Sequence, residues 1–390
     1  MADRPIESLD GKTPLEYAVT PMMDELAARG EIGMVHTIPD GMKPGSDTAN
    51  LSVLGYNPRE FYSGRSPLEA LSIGVPMKDT DIALRCNIVT LSEEEENYED
   101  RTIIDHSSGE ISTEECAVLL EAVKKELESD IFHFYVGTSY RHCLIWENGE
   151  VVDLVQPHDV LGQKIGDKLP ENEALRTMMK KSYDILVNHP INLERKKKGL
   201  NPANSCWFWG AGTKPALYPF TERTRKKGAM ISAVDLLKGI AVGTSMKVIT
   251  VDGANGGLDT NYEGKAAAAV DVLTKDGYDF VYVHLEGPDE MGHQGSVEKK
   301  VKAIERLDAR IIKPIVEGLK AAGEDFRMVI LPDHPTPICL RTHTADNVPY
   351  LLYDSTAERN ESWHYNEREA EQTKNFVAEG HKLIEYLLEM

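Results

Sequence analysis

Three groups of polar residues stand where apolar runs end, and their side-chain types suit chemistry on a phosphate ester. The first follows Met328-Val-Ile-Leu331: Pro332 stops the run, Asp333 and His334 come next, and His343 lies a little further on. The second follows the apolar run at 280–285, where Glu286-Gly-Pro-Asp289-Glu-Met-Gly-His293 puts Asp289 and His293 four apart. That spacing shares one face of a helical turn. The third is Ser46, which follows Pro44-Gly45 and opens an apolar-periodic segment, the position of a residue at a helix N-terminus. Asp289, His293 and His343 make an N/O ligand set suited to Mn2+ or Zn2+. Asp333, His334 and Ser46 can build a second site alongside. Two cations a few ångströms apart clamp the attacking and leaving oxygens of an in-line phosphoryl displacement. A cation and a helix N-terminus both favour the serine alkoxide. Each feature has a plainer reading as a cap, a turn residue or a surface imidazole. Their shared place at strand ends argues for a site, since open α/β sheets bind ligands beyond the carboxyl ends of their strands.

The elements that must position these groups follow from periodicity. A helix is expected over 21–29, with Thr20 as its cap and Gly30 past its end, then a strand over 32–38. A strand over 82–91, a helix over 112–129 and strands over 131–136 and 141–146 form a smaller-scale segment. Beyond it come a helix over 230–240, a strand over 246–251, a helix over 264–274 and the strand at 280–285. A long helix over 297–321, the strand at 328–331 and a closing helix over 373–388 complete the chain. The glycines of 253–257 lack the spacing and the Lys-Ser/Thr of a P-loop and read as a turn. This alternation predicts an α/β protein with a doubly wound, mostly parallel sheet. It occupies 1–78 and 200–390, with a smaller α+β domain inserted at 79–199.

Composition narrows the partners. The chain has 390 residues, 41% hydrophobic and 27% charged, with a net charge of −21. Nucleic acid is excluded as a partner, because binding it needs a cationic footprint. A small anionic substrate remains compatible where local cations reverse the field. No apolar run approaches the ~20 residues of a membrane span, so no membrane partner is expected. Five scattered cysteines predict free thiols in a reducing cytoplasm.

The run Pro44-Gly-Ser-Asp-Thr-Ala-Asn-Leu-Ser-Val-Leu-Gly-Tyr-Asn-Pro58 and then Tyr62-Ser-Gly-Arg-Ser-Pro-Leu-Glu-Ala70 closely resembles the archaeal-type cofactor-independent phosphoglycerate mutases of the alkaline phosphatase superfamily. The likeness continues through Leu84-Arg-Cys-Asn87, Asp105-His-Ser-Ser-Gly109, Ser139-Tyr-Arg-His142, Trp209-Gly-Ala-Gly-Thr-Lys-Pro215 and Leu331-Pro-Asp-His-Pro-Thr-Pro337. The resemblance implies an alkaline phosphatase-like fold and interconversion of 3- and 2-phosphoglycerate through a phosphoserine at Ser46. It implies two divalent metal ions, Mn2+ first and Zn2+, Co2+ or Mg2+ as alternatives. Asp289, His293 and His343 would hold one, and Asp333 and His334 the other together with Ser46. Arg85, His106, Arg141 and His142 of an inserted substrate-binding lid would grip phosphoglycerate, and Lys214 would assist at the phosphoryl group. Two other readings are a metal-dependent phosphatase or phosphotransferase acting on another small phosphate ester, and a non-catalytic member of the family.

One departure stands out. Members of that family begin with a buried strand ending in Gly-Asp-Gly, whose aspartate joins the metal bound by the serine. Here Met1-Ala-Asp-Arg-Pro-Ile6 resembles the segment just past it. The expectation is a start further upstream, with a strand and a carboxylate that the first domain needs.

Overall fold

A computed structural model describes residues 1–389. Its strands in chain order are β1 (Glu31–Val35), β2 (Ile82–Leu91), β3 (Ile103–Asp105), β4 (Phe132–Thr138), β5 (Arg141–Trp146) and β6 (Ser205–Thr213). They continue with β7 (Gly228–Ile231), β8 (Lys247–Ile249), β9 (Phe280–Val283), β10 (Arg327–Ile330), β11 (Val348–Asp354) and β12 (Phe376–Val377). The chain forms two units, Met1–Tyr62 with Ala216–Met390, and Ser63–Pro215. The inserted unit is wider than the expected 79–199, because the Arg65–Ser72 helix and β6 pack with its sheet.

In the first unit the single, mostly parallel sheet of the sequence reading is replaced by two. One is parallel, in the order β8-β7-β9; the other runs β10-β11-β1-β12 and is antiparallel except between β1 and β12. The reason is local. The link from β10 to β11 is a helix-free loop carrying Asp333 and His343, so β11 returns antiparallel to β10. β9 and β10 are each the edge of their own sheet, and both line one cavity of about 700 Å3.

Two expected helices also gave way. Residues 230–240 split into the buried strand β7 and a helix at Asp235–Gly243. A short, fully buried apolar strand carries no alternation to tell it from a helix. The closing helix over 373–388 is broken into β12 and a short Leu383–Leu388 helix. Gly380 explains the break: a Cβ there would lie 2.5 Å from the His36 carbonyl oxygen, so the backbone passes too close for any side chain. The Pro21–Arg29 helix forms as expected, yet Thr20 makes no side-chain cap bond. The buried Asp308 carboxylate accepts the N–H groups of Met22 and Met23 instead. An anion at a helix N-terminus satisfies the same orphan donors.

The inserted unit is a five-stranded antiparallel sheet, β3-β2-β5-β4 with β6 on β2. One face buries Leu84, Cys86, Ile88, Leu144 and Phe208 in a core shared with residues of the Thr113–Leu127 and Glu173–Leu186 helices. Its four cysteines, Cys86, Cys116, Cys143 and Cys206, are buried free thiols.

A buried ion pair ties the start of the chain to the loop after β10. Lys300, fully buried, donates to Asp3 Oδ2 at 2.8 Å and to the carbonyls of Ala2 and Thr336 at 3.2 and 2.9 Å. Asp3 in turn accepts from the Ile338 N–H. Removing one member of such a pair strands the other charge in a low dielectric, at a cost of about 3–5 kcal/mol. Lys300→Met is expected to lower unfolding stability by that amount in denaturant titration, and adding Asp3→Leu to restore most of it. Equal losses in the single and double variants would refute this account.

Candidate active site

The Ser46–Val53 helix has Gly45 at its N-cap and Ser46 as its first residue, and no side chain makes a cap bond from Gly45. Ser46 Oγ lies 3.0 Å from Nε2 of the buried His334. Asp333 sits beside them: its Oδ2 is 3.4 Å from that Nε2 and accepts from Asn50 Nδ2 at 2.9 Å. Its Oδ1 accepts the His334 N–H at 2.9 Å, and its carbonyl accepts from the Thr37 hydroxyl. The structure therefore brings Ser46, Asp333 and His334 together.

Beyond β9, the Gly287–His293 helix presents Asp289 and His293 on one face, with His293 Nε2 3.3 Å from Asp289 Oδ2. His343 Nε2 is 3.4 Å from Asp289 Oδ1 and 2.9 Å from His293 Nε2. His293 donates through Nδ1 to the Arg341 carbonyl at 3.0 Å, which leaves Nε2 to face the cluster. The rings of His334 and His343 lie 3.8 Å apart, so the two groups are contiguous. One ligand atom each from Asp289, His334 and His343 falls within 4.8 Å of the others. This trio mixes the two sets expected from sequence. Inward-facing imidazole nitrogens beside carboxylate oxygens are a donor set that fits a divalent cation such as Mn2+ or Zn2+.

Arg85, His106, Arg141 and Lys214 all belong to the inserted unit. Arg85 pairs with Glu69 at 2.8 Å and stacks over Trp209, and Arg141 stacks over Tyr140. His106 meets Tyr140 and His158 edge-on. Lys214 pairs with Asp79 at 3.0 Å at the surface. His142 does not join this group. It is buried, accepts the Gly137 N–H on Nδ1 and sets Nε2 3.1 Å from Cys116 Sγ. Successive strand residues point to opposite faces, so Arg141 and His142 on β5 cannot serve one surface together.

Relatives decide what these residues belong to. The family model described as 2,3-bisphosphoglycerate-independent phosphoglycerate mutase matches residues 27–192. A Methanosarcina barkeri protein of that name is 51% identical over 358 residues, 90% of this chain and 88% of its own length. The chain belongs to this family. A Geobacter sulfurreducens relative, named a probable member, is 45% identical and covers 100% of this chain and 97% of its own. Among solved structures, a Pyrococcus horikoshii protein superposes with a TM-score of 0.82 at 32% identity, covering 100% of this chain and 94% of that one. A cofactor-independent phosphoglycerate mutase from Thermoplasma acidophilum gives 0.64 at 25% identity, covering 100% and 96%.

Within this mutase-family chain, electrostatics sort the titratable groups. Burial pushes the Asp289 carboxyl up, but hydrogen bonds from His293 and His343 and the imidazole charges outweigh it and hold the group well below the usual range. The hydrogen bond to Asp289 pushes His293 up to about 9. Sequence reasoning missed Asn50, Thr336 and Thr37, which bond to the site residues, and Tyr282, which bonds to Asn50. Only Asn50 carried a signal, its i+4 spacing from Ser46.

His142 supplies a test of its reassignment. Burial pushes it down to about 4 from an ordinary 6.5, so between these values the unfolded chain binds the proton and the folded one does not. Stability then falls with falling pH across that window, by up to roughly 3 kcal/mol. His142→Gln is expected to flatten that part of the stability–pH curve for the inserted unit. An unchanged slope would show that His142 is not the group responsible.

Proposed function

We propose that the protein interconverts 3-phosphoglycerate and 2-phosphoglycerate through a phosphoserine at Ser46. The observation that carries this reading is the 3.0 Å approach of Ser46 Oγ to His334, from opposite ends of the chain, in a chain of this family. The Ser46 oxygen attacks phosphorus and the bond to the glycerate oxygen breaks, that oxygen taking up the proton Ser46 gives up. The other glycerate hydroxyl then attacks the phosphoserine, loses its proton and restores Ser46. Asp289, His293 and His343 would hold one divalent cation and Asp333 and His334 a second, with Mn2+ our first choice. When bound, such ions neutralise charge on the phosphoryl oxygens and lower the serine hydroxyl pKa. We assign Arg85, Arg141 and His106 to the substrate's carboxylate and phosphate, which planar guanidinium forks suit. Lys214 would add a cation at the phosphoryl group, and the cytoplasm is where this substrate would be met.

The finer fold reading is part of the same proposal. β9 and β10 run toward the site at their carboxyl ends, each has an unpaired edge, and both flank the cavity that Met1 also lines. A strand laid between them would join the two sheets in the order β8-β7-β9, new strand, β10-β11-β1-β12, the doubly wound arrangement of the alkaline phosphatase superfamily.

The functional test is turnover of 3-phosphoglycerate with added Mn2+, followed by 31P NMR. Ser46→Ala is expected to lower kcat at least roughly 1000-fold, as loss of a nucleophile does. Arg85→Ala and Arg141→Ala are expected to lose isomerisation while releasing inorganic phosphate. Phosphate release without isomerisation by the unsubstituted protein would favour a phosphatase, and no turnover at all a non-catalytic member.

A further inference from the structure

Asn50 is fully buried in the Ser46–Val53 helix, and its side-chain amide joins the start of that helix to the loop after β10 and to β9. Nδ2 donates to the Ser46 carbonyl at 2.8 Å and to Asp333 Oδ2 at 2.9 Å. Oδ1 accepts from the Tyr282 hydroxyl, on β9, at 2.5 Å. Both N–H groups and the carbonyl of the amide are thereby used. We propose that Asn50 is a positioning residue that fixes the Asp333 carboxylate against the backbone of Ser46, with Tyr282 anchoring its amide oxygen.

The geometry makes the orientation one-sided. Asp333 Oδ2 and the Ser46 carbonyl can only accept, so they fix the side on which the Asn50 NH2 lies. The Asn50 carbonyl must then face Tyr282, and its NH2 must face Asp333. A flipped amide would set acceptor against acceptor both at Asp333 and at the Ser46 carbonyl. With Oδ2 held by Asn50 and Oδ1 by the His334 N–H, the carboxylate cannot rotate. Its remaining lone pairs are committed to the side where His334 Nε2 and Ser46 Oγ lie. The same amide ties the first turn of the helix to the end of β10, so nucleophile and carboxylate move as one piece. Outer-shell hydrogen bonds of this kind set ligand orientation and carry about 10–100-fold in metal affinity.

This inference rests on the reading of Ser46, Asp333 and His334 as a divalent cation site, and the experiment separates the two. Mn2+ binding is titrated calorimetrically on the purified protein, on Asn50→Leu and on Tyr282→Phe. The unsubstituted protein is expected to take two ions. Asn50→Leu is expected to keep the affinity of one and lose about 10–100-fold for the other, and Tyr282→Phe to show a smaller loss at that same ion. Mutase turnover lost in either variant should return at high Mn2+, which a misfolded variant would not show. Fewer than two ions on the unsubstituted protein would overturn the cation reading and this inference with it. Two ions there, with unchanged affinities in the variants, would overturn the role of Asn50 alone. Should Asn50→Leu fail to fold, Tyr282→Phe decides, because it removes a single oxygen.

Discussion

The carboxyl ends of β9 and β10 must stay in register, although no ladder of backbone hydrogen bonds joins the two strands. Buried polar side chains hold them together. Asn50 links Tyr282 on β9 to Asp333 past β10. Thr336 donates to Asp289, beyond β9, and its carbonyl is gripped by Lys300. His343, whose Nε2 lies 3.4 Å from Asp289 Oδ1, closes the set. A hydrogen bond of this sort contributes only about 0.5–1.5 kcal/mol when formed, but a buried partner left unpaired costs more. Shear between the two sheets would leave several such groups unpaired together. The residues that shape the site are therefore also those that fix the sheets.

Charge is organised on the same principle of local against global. The chain carries −21, a field that opposes an anionic substrate. The acidic excess is spread widely, whereas imidazoles are concentrated around Asp289 and Asp333. In the inserted unit the guanidinium groups of Arg85 and Arg141 lie over Trp209 and Tyr140. Stacking covers the weakly hydrated faces of these groups and leaves their N–H edges for polar partners, of which Glu69 is one for Arg85. An arginine so held loses less freedom when it meets a carboxylate or phosphate than one extended into water.

What the sequence disclosed and what it hid differ by the range of the interaction. Asp289 and His293 were legible because four-residue spacing on a helical turn is a local fact. The placing of Arg141 and His142 in one binding group ignored an equally local fact, the two-residue period of a strand. β7 was absorbed into a helix because a buried strand has no polar face to mark it, and β11 went unassigned. The break at Gly380 was hidden for another reason: nothing nearby in sequence announces that the His36 backbone will lie against it. Thr336 and Tyr282 became site residues only through tertiary placement. Short-range geometry survives in a sequence; the identity of a distant neighbour does not.

At the start of the Ser46–Val53 helix the first turn is satisfied without the Ser46 hydroxyl. A serine at the N-cap would spend its hydroxyl on a backbone N–H, but Ser46 lies one residue further in, after Gly45. Here that demand is met by Asp47, whose Oδ1 accepts the Thr48 N–H at 2.8 Å while Oδ2 takes the Tyr62 hydroxyl at 2.7 Å. The anchored carboxylate also offsets the helix dipole, a service anions give at this end. Its position explains the preceding glycine, since a Cβ on Gly45 would meet Asp47 Oδ1 at 2.6 Å. Gly45 makes room for Asp47, Asp47 satisfies the first turn, and Ser46 can turn its oxygen to His334. An alanine at position 45 would displace Asp47 first and leave the Thr48 N–H without its acceptor.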